Sequence, residues 1–167
     1  MDAAIVTQIV PQGLLVPRSA ILEWLERAYV NETGSAWLQG LLVPTQTVVT
    51  TTQLLIAEVV SALNRRVREG TVTTLDYARL AGRFRDDCRT RYQLVAVNNA
   101  ILRIACDMLE RYPLRAYDAV HLATALSANR RLASAGATGL VFLCADDRLL
   151  RAAAAEGLAA DNPNDHP

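Results

Sequence analysis

Leu140-Val141-Phe142-Leu143-Cys144-Ala145-Asp146-Asp147-Arg148-Leu149-Leu150 is the stretch on which the fold turns. Its first five residues form an unbroken apolar run, short and bounded, as a strand buried on both faces should be. Gly136 to Gly139 break the chain before it. After it, Asp146 stands where it can cap a helix from Asp147 to Glu156, and Gly157 ends that helix. A buried strand, an acid at its carboxyl end and a helix make one α/β unit.

Working back toward the N-terminus, the same alternation repeats. A helix spans roughly Tyr117 to Arg131, and Asn98 caps another through Ile101, Ile104, Ala105, Met108 and Leu109, stopped by Pro113. Leu94 to Val97 reads as a short strand, and Thr74 opens a helix to about Arg91. Leu55, Val59, Ala62, Leu63 and Val67 recur at helical spacing between Gln53 and Glu69, with Gly70 as the stop. Thr47-Val48-Val49-Thr50 is a β-branched strand. Gly13 to Val16, closed by Pro17, reads as a first buried strand, and Ser19 then caps a helix through about Val30. Residues 31–35 break the chain, and Ser35 caps a short helix ending near Gly40 to Leu42. Ile5 to Val10 fits strand or coil. Past the final helix, Leu158-Ala159 suggests a last short strand, and Asp161 to Pro167 reads as a loose, polar tail. Short apolar strands alternating with helices predict an α/β fold, a mostly parallel sheet covered by helices on both faces. In such sheets ligands bind beyond the carboxyl ends of the strands.

The 167 residues are one domain's worth, and 51% hydrophobic with 20% charged content belongs to a packed globular chain. No apolar run approaches the roughly 20 residues of a membrane-spanning helix, and the start lacks the pattern of a secretory signal. The three cysteines, Cys88, Cys106 and Cys144, are odd in number and lack zinc-ligand spacing, so they read as small core residues in a reducing, cytoplasmic setting. Formal net charge is zero, so no global basic field announces nucleic acid. All 17 basic residues are arginine, which suits bidentate phosphate contacts but equally reflects codon bias. The arginines at 65, 66 and 68, at 79, 83, 85, 89 and 91, and at 130 and 131 fit either phosphate contacts or the solvated faces of amphipathic helices.

Three acids are oddly placed. Glu58 lies among Leu55, Val59 and Ala62 on a helix's apolar side, Asp118 opens a strongly apolar helix, and Asp146 follows the clearest strand. A carboxylate turned toward a core needs a partner or a cation, because burying it unpaired costs several kcal/mol. Asp118 could complement a helix dipole, Asp146 could cap, and Glu58 could pair with Arg65 or Arg115. Together, three acids at sheet-end positions point to one oxygen-ligand site for Mg²⁺ or Mn²⁺. His121, one turn beyond Asp118, reads as a packed or hydrogen-bonded histidine that could face the site. Ser19 and Thr50 could orient a water or phosphate, and both also suit their cap and strand positions.

The segments Leu54 to Leu63, Ala116 to Ala125 and Ala145 to Leu150 resemble PIN-domain proteins of the VapC toxin family, in order and in spacing. Tyr29 to Ser35, and Glu156-Gly157-Leu158 with the later Asn162-Pro163, are also similar. The resemblance covers roughly residues 14 to 163. It implies a PIN-like three-layer sandwich over residues 14–160, after a diverged extension over 1–13 and before the tail from 161 to 167. It also implies a metal-dependent endoribonuclease acting on RNA, silenced by a cognate antitoxin, with two subunits often pairing as a homodimer. Glu58, Asp118 and Asp146 match three of the family's catalytic acidic ligands, with Asp147 as an auxiliary metal ligand. One departure stands out. The family's first strand normally ends in Asp, whereas Pro17 holds that place here, or Ile21 if the chain is aligned back from Tyr29. Neither side chain can bind a metal, which keeps open a second reading as a catalytically impaired module that binds antitoxin or RNA. In a third, the fold is unrelated and the acids are helix caps.

Overall fold

The computed structural model describes residues 13–15 and 48–166. The strands are β1 (Gly13–Leu15), β2 (Val48–Thr52), β3 (Tyr92–Val95), β4 (Leu140–Leu143) and β5 (Ala159–Asp161). The helices among the described residues are α1 (Leu54–Arg68), α2 (Thr74–Thr90), α3 (Asn99–Arg111), α4 (Ala116–Ser134) and α5 (Asp147–Ala155). The sheet runs in the order β3-β2-β1-β4-β5, and every pairing is parallel. From β1 the chain builds outward on one side through β2 and β3, then crosses back to place β4 and β5 on the other. The strand order therefore reverses between β1 and β4, the kind of switch point where α/β sheets open a crevice.

β4 shows how the layers form. Leu140, Phe142 and Cys144 pack into one core, with Ile101, Ala105 and Met108 of α3, with α4, and with Leu149, Ala152 and Ala153 of α5. Leu143, pointing the other way, joins Val49, Leu55, Val59, Leu63, Leu80 and Phe84 of β2, α1 and α2. Side chains that alternate across a strand serve two cores when both faces are covered. The result is a three-layer sandwich. Helix α4 is buried at every residue from Ala119 to Leu126, because it lies over the sheet with helices packed against its outer side.

Local signals place the ends of these elements. Asn98 Oδ1 accepts the N–H groups of Ala100 and Ile101, both at 3.0 Å, which starts α3. A Cβ at Gly139 would come within 2.8 Å of Asn129 Oδ1, so a side chain there would push aside the group that accepts the Leu140 N–H at the start of β4.

Two expectations shift. The third strand is Tyr92–Val95 rather than Leu94 to Val97, because pairing with β2 runs from Val49↔Tyr92 to Thr52↔Val95. Val97 lies beyond the ladder and still packs against the core, so apolar character marked burial rather than pairing. The expected loose tail instead begins in β5 and folds back through a 3₁₀ turn, Pro163–Asp165, with Pro163 buried. Asn162 Oδ1 caps that turn by accepting the Asn164 N–H at 3.0 Å, and His166 Nε2 lies 3.0 Å from both carboxylate oxygens of Asp161. Ser19, Pro17, Ile21 and the elements expected between residues 16 and 47 lie outside the described residues.

Candidate metal centre at the carboxyl edge

Parallel strands send all their carboxyl ends to one edge, and three helices begin there. Helix α1 follows β2 through a single residue, Gln53, whose N–H donates to Val95 O at 3.0 Å. Helix α5 follows β4, turned by Cys144 Sγ, which accepts the Asp146 N–H at 3.2 Å. Helix α4 leads back down to the start of β4, so its N-terminus also stands at the carboxyl edge. Glu58 in the second turn of α1, Asp118 in the first turn of α4 and Asp146 before α5 thereby all lie toward the carboxyl edge, Glu58 from a helix on one face of the sheet and the other two from the opposite face.

Each acid has its own setting. Glu58, whose side chain is 11% exposed, places Oε2 at 2.9 Å from Nε2 of buried His121. Its partner is therefore neither Arg65 nor Arg115. Arg65 meets Glu69 one turn on, at 3.8 Å, because both lie on the solvent side of α1.

Asp118 carries a carboxyl held above its ordinary range. Burial is the chief cause and the Asp146 charge adds to it, while His121, Arg115 and the Arg115 backbone N–H pull the other way. That N–H bond is one half of a capping box, from the residue before the helix to its third position.

Asp146 caps α5, as Oδ1 accepts the Arg148 N–H at 2.8 Å and Oδ2 accepts from Arg148 Nη2 at 3.3 Å. Burial pushes its carboxyl upward, but the bonds from Arg148 and the Leu149 N–H outweigh it and leave the group below the ordinary range. Asp147 is exposed, and its Oδ1 accepts from Asn162 Nδ2 at 3.4 Å.

Thr50 lies inside β2, where its hydroxyl donates to Gln93 Oε1 across the ladder at 3.3 Å. Two neighbours that sequence reasoning passed over, Thr51 and Thr52, end β2 with buried hydroxyls that have no hydrogen-bond partner. The threonine run reads simply as strand propensity, which hides this polar end. The Glu58–His121 pair was also missed, since 63 positions separate the two and no spacing rule links them. Cys144 is buried as expected and Cys88 half-buried, its thiol pushed up to about 11 by burial and then by Asp87. Cys106, read as a core residue, is exposed on the outer face of α3.

The donors at this edge are carboxylate oxygens, the chemistry of a hard divalent cation. Repulsion between Asp118 and Asp146 is the strain a cation would relieve, so these two fit one in kind. Among the described residues, no three His, Cys, Asp or Glu side chains stand close enough together to hold a metal ion. Glu58 is held by His121 rather than against the other two carboxylates.

These features define a three-layer α/β domain with an acidic edge at the sheet's switch point. The chain belongs to the PIN-domain family, whose sequence profile matches residues 15–155. PIN domains are generally nucleases and typically use divalent metal ions. Among solved structures, the chain is similar in fold to one described as "Toxin-antitoxin complex from Klebsiella pneumoniae", with a TM-score of 0.52 and 13% identity. That match covers 90% of this chain and 97% of the other. No curated protein matches in sequence.

Proposed function

We propose that this chain is the toxin half of a toxin–antitoxin pair, a VapC-like endoribonuclease that hydrolyses RNA phosphodiester bonds with Mg²⁺ or Mn²⁺. The observation that carries the reading is the facing of Asp118 and Asp146, from α4 and from the end of β4, at the carboxyl edge beside the strand-order reversal. Glu58, Asp118 and Asp146 would hold the ion, with Asp147 beside them. A divalent cation bound there supplies Lewis-acid polarisation of a phosphoryl oxygen and lowers the pKa of an attacking water.

The chain's own residues supply the rest. The N-terminus of α4 presents the positive end of a helix dipole to Asp118, and the Arg148 and Leu149 bonds fix the orientation of Asp146. Arg115 and Arg148, both exposed beside these acids, are placed to receive phosphate oxygens. An antitoxin partner is supported by the similar fold of the Klebsiella chain, which comes from such a complex. Among the described residues no helix is long and apolar enough to cross a membrane, which suits a cytoplasmic setting.

The test is RNA cleavage with Mg²⁺ or Mn²⁺ against a chelator control, comparing wild type with Asp118→Asn. The expected outcome is metal-dependent cleavage that the substitution abolishes. Cleavage surviving in Asp118→Asn would remove the acids from the mechanism. A second reading, a catalytically impaired module that binds antitoxin or RNA, is favoured by Glu58 standing with His121 rather than in a three-carboxylate cluster. It predicts antitoxin or RNA binding by calorimetry with no cleavage at any metal concentration.

A further inference from the structure

Four tyrosines lie among the described residues, and three of them are tied into the fold. Tyr77 accepts a hydrogen bond from Asn64 Nδ2 at 3.2 Å, and Tyr92 lies against Phe84 with ring centroids 6.5 Å apart. The Tyr112 hydroxyl donates to Glu156 Oε1 at 2.7 Å. Tyr117 is the exception. It is 57% exposed, the one exposed aromatic ring among the described residues, and it packs into neither core.

A single exposed ring is ordinary on most of a protein surface, so its position is what matters. Tyr117 immediately precedes Asp118 in the first turn of α4, at the carboxyl edge, and exposed Arg115 stands two residues earlier at the helix cap. Asp118 feels the charges of both Asp146 and Arg115, and Arg148 Nη2 lies 3.3 Å from Asp146 Oδ2. An aromatic face, two exposed guanidinium groups and a pair of carboxylates thus share one end of the sheet. Neighbouring helix positions are about 100° apart round the axis, which puts the ring beside Asp118 rather than over it.

Each of these groups matches a different part of a nucleotide. Arginines receive phosphate oxygens, and an exposed ring offers its face to a base. A base within a duplex is already stacked on both sides, so only an unpaired one can use the ring. A peptide would cover the ring equally well, but the arginines beside it favour a polyanion.

We propose that Tyr117 is a specificity-determining residue of the acidic edge: its ring stacks on an unpaired base of the RNA, beside a phosphate that Arg115 and Arg148 receive. This rests on the RNA substrate of the nuclease reading and adds to it a residue that favours single strands over duplex.

The experiment measures binding of a fluorescently labelled single-stranded RNA to the full chain in chelator, by anisotropy. Wild type is compared with Tyr117→Ala, Tyr117→Leu and Tyr117→Phe, all at an exposed position outside the cores. Stacking on one ring corresponds to about a 5–150-fold change in affinity, and Tyr117→Ala should weaken binding by a factor in that range. Tyr117→Leu, apolar but without a π-face, should lose nearly as much, and Tyr117→Phe should bind like wild type. Duplex RNA should bind all four chains alike. Tyr117→Ala binding the single strand as tightly as wild type would overturn the role and leave the ring to a protein partner. Tyr117→Leu matching wild type would overturn it as well, because plain apolar contact would then suffice. Cleavage with Mg²⁺, read in parallel, separates this role from the nuclease reading. Wild type that cleaves while every variant binds equally keeps the nuclease and removes the stacking. Wild type that binds through Tyr117 and cleaves nothing keeps the stacking and sinks the nuclease.

Discussion

Replacing Asp118 by asparagine keeps its shape and its ability to accept the Arg115 N–H, and deletes only its charge. The carboxyl is raised because burial penalises the charged form and Asp146 repels it, with His121 and Arg115 compensating in part. A carboxyl raised on folding contributes fully to stability below its unfolded value, here the ordinary 3.8, and that contribution is lost as pH rises through the folded value. At neutral pH, then, the Asp118 charge is a net cost to the metal-free fold. The side chain is partly exposed, so solvent screening holds this cost to about 0.2–1 kcal/mol. For a chain of 167 residues, 1 kcal/mol moves the melting temperature by about 2–4 °C. Metal-free Asp118→Asn should therefore melt a degree or a few above wild type at pH 7, and the advantage should vanish near pH 3.

Added Mg²⁺ should invert the order. A ligand at 100 times its dissociation constant stabilises by about 2.7 kcal/mol, so wild type should gain roughly 5–10 °C while the variant gains far less. The assay is a set of calorimetric melts, wild type and variant, at pH 7 and pH 3, with chelator or with Mg²⁺. One result refutes the reasoning directly: Asp118→Asn melting below wild type at pH 7 in chelator, with no difference made by Mg²⁺. That pattern would make Asp118 a stabilising helix-terminal charge and nothing more.

Two further predictions concern the frame that carries the acids. Asp146→Ala should lose about 0.5–2 kcal/mol through the cap of α5. Because folding lowers the Asp146 carboxyl, its stabilisation is present above 3.8 and lost as pH falls through the folded value, so acid melts of wild type and variant should converge. Phe84→Ala, emptying a fully buried site beside α1, should cost about 3–5 kcal/mol in denaturant unfolding.

The parts of the fold that could be read from sequence were those with local causes. Leu140 to Cys144 is an apolar run with a glycine break before it and an acid after it, and each of those signals acts within a few residues. The Asn98 cap, the stripe from Leu55 to Leu63 and the stop at Gly157, which adopts φ +81°, are local in the same sense. What escaped depends on pairing across the chain. The register of β3 follows from β2, so the apolar run at 94–97 marked burial and misplaced the strand by two residues. The tail is fixed by Asp161 meeting His166 and by Pro163 finding a buried seat, neither of which composition reveals. At the acidic edge, the three carboxylates could be singled out because each breaks a local apolar pattern. Their partners could not, because Glu58 could reach an arginine on its own helix as easily as a histidine on another.

Those partners also set how the acids differ from one another. Asp146 is already served by the Arg148 guanidinium and by backbone N–H groups, which hold its charge in place without an ion. Glu58 has one oxygen 2.9 Å from Nε2 of the buried His121 ring. Asp118 receives a single backbone bond, and burial and then the Asp146 charge hold its carboxyl above the ordinary range, whereas Asp146 is held below it. A cation arriving at this edge would gain little by neutralising Asp146 and most by relieving Asp118. The coupling between metal and stability should thus be concentrated at Asp118, larger there than at either neighbour. Charge-neutral substitutions at the three positions would rank the acids by their response to Mg²⁺, with Asp118 first. Equal responses would mean that the three share the charge evenly, and that the separate pairings of Glu58 and Asp146 do not matter to the ion.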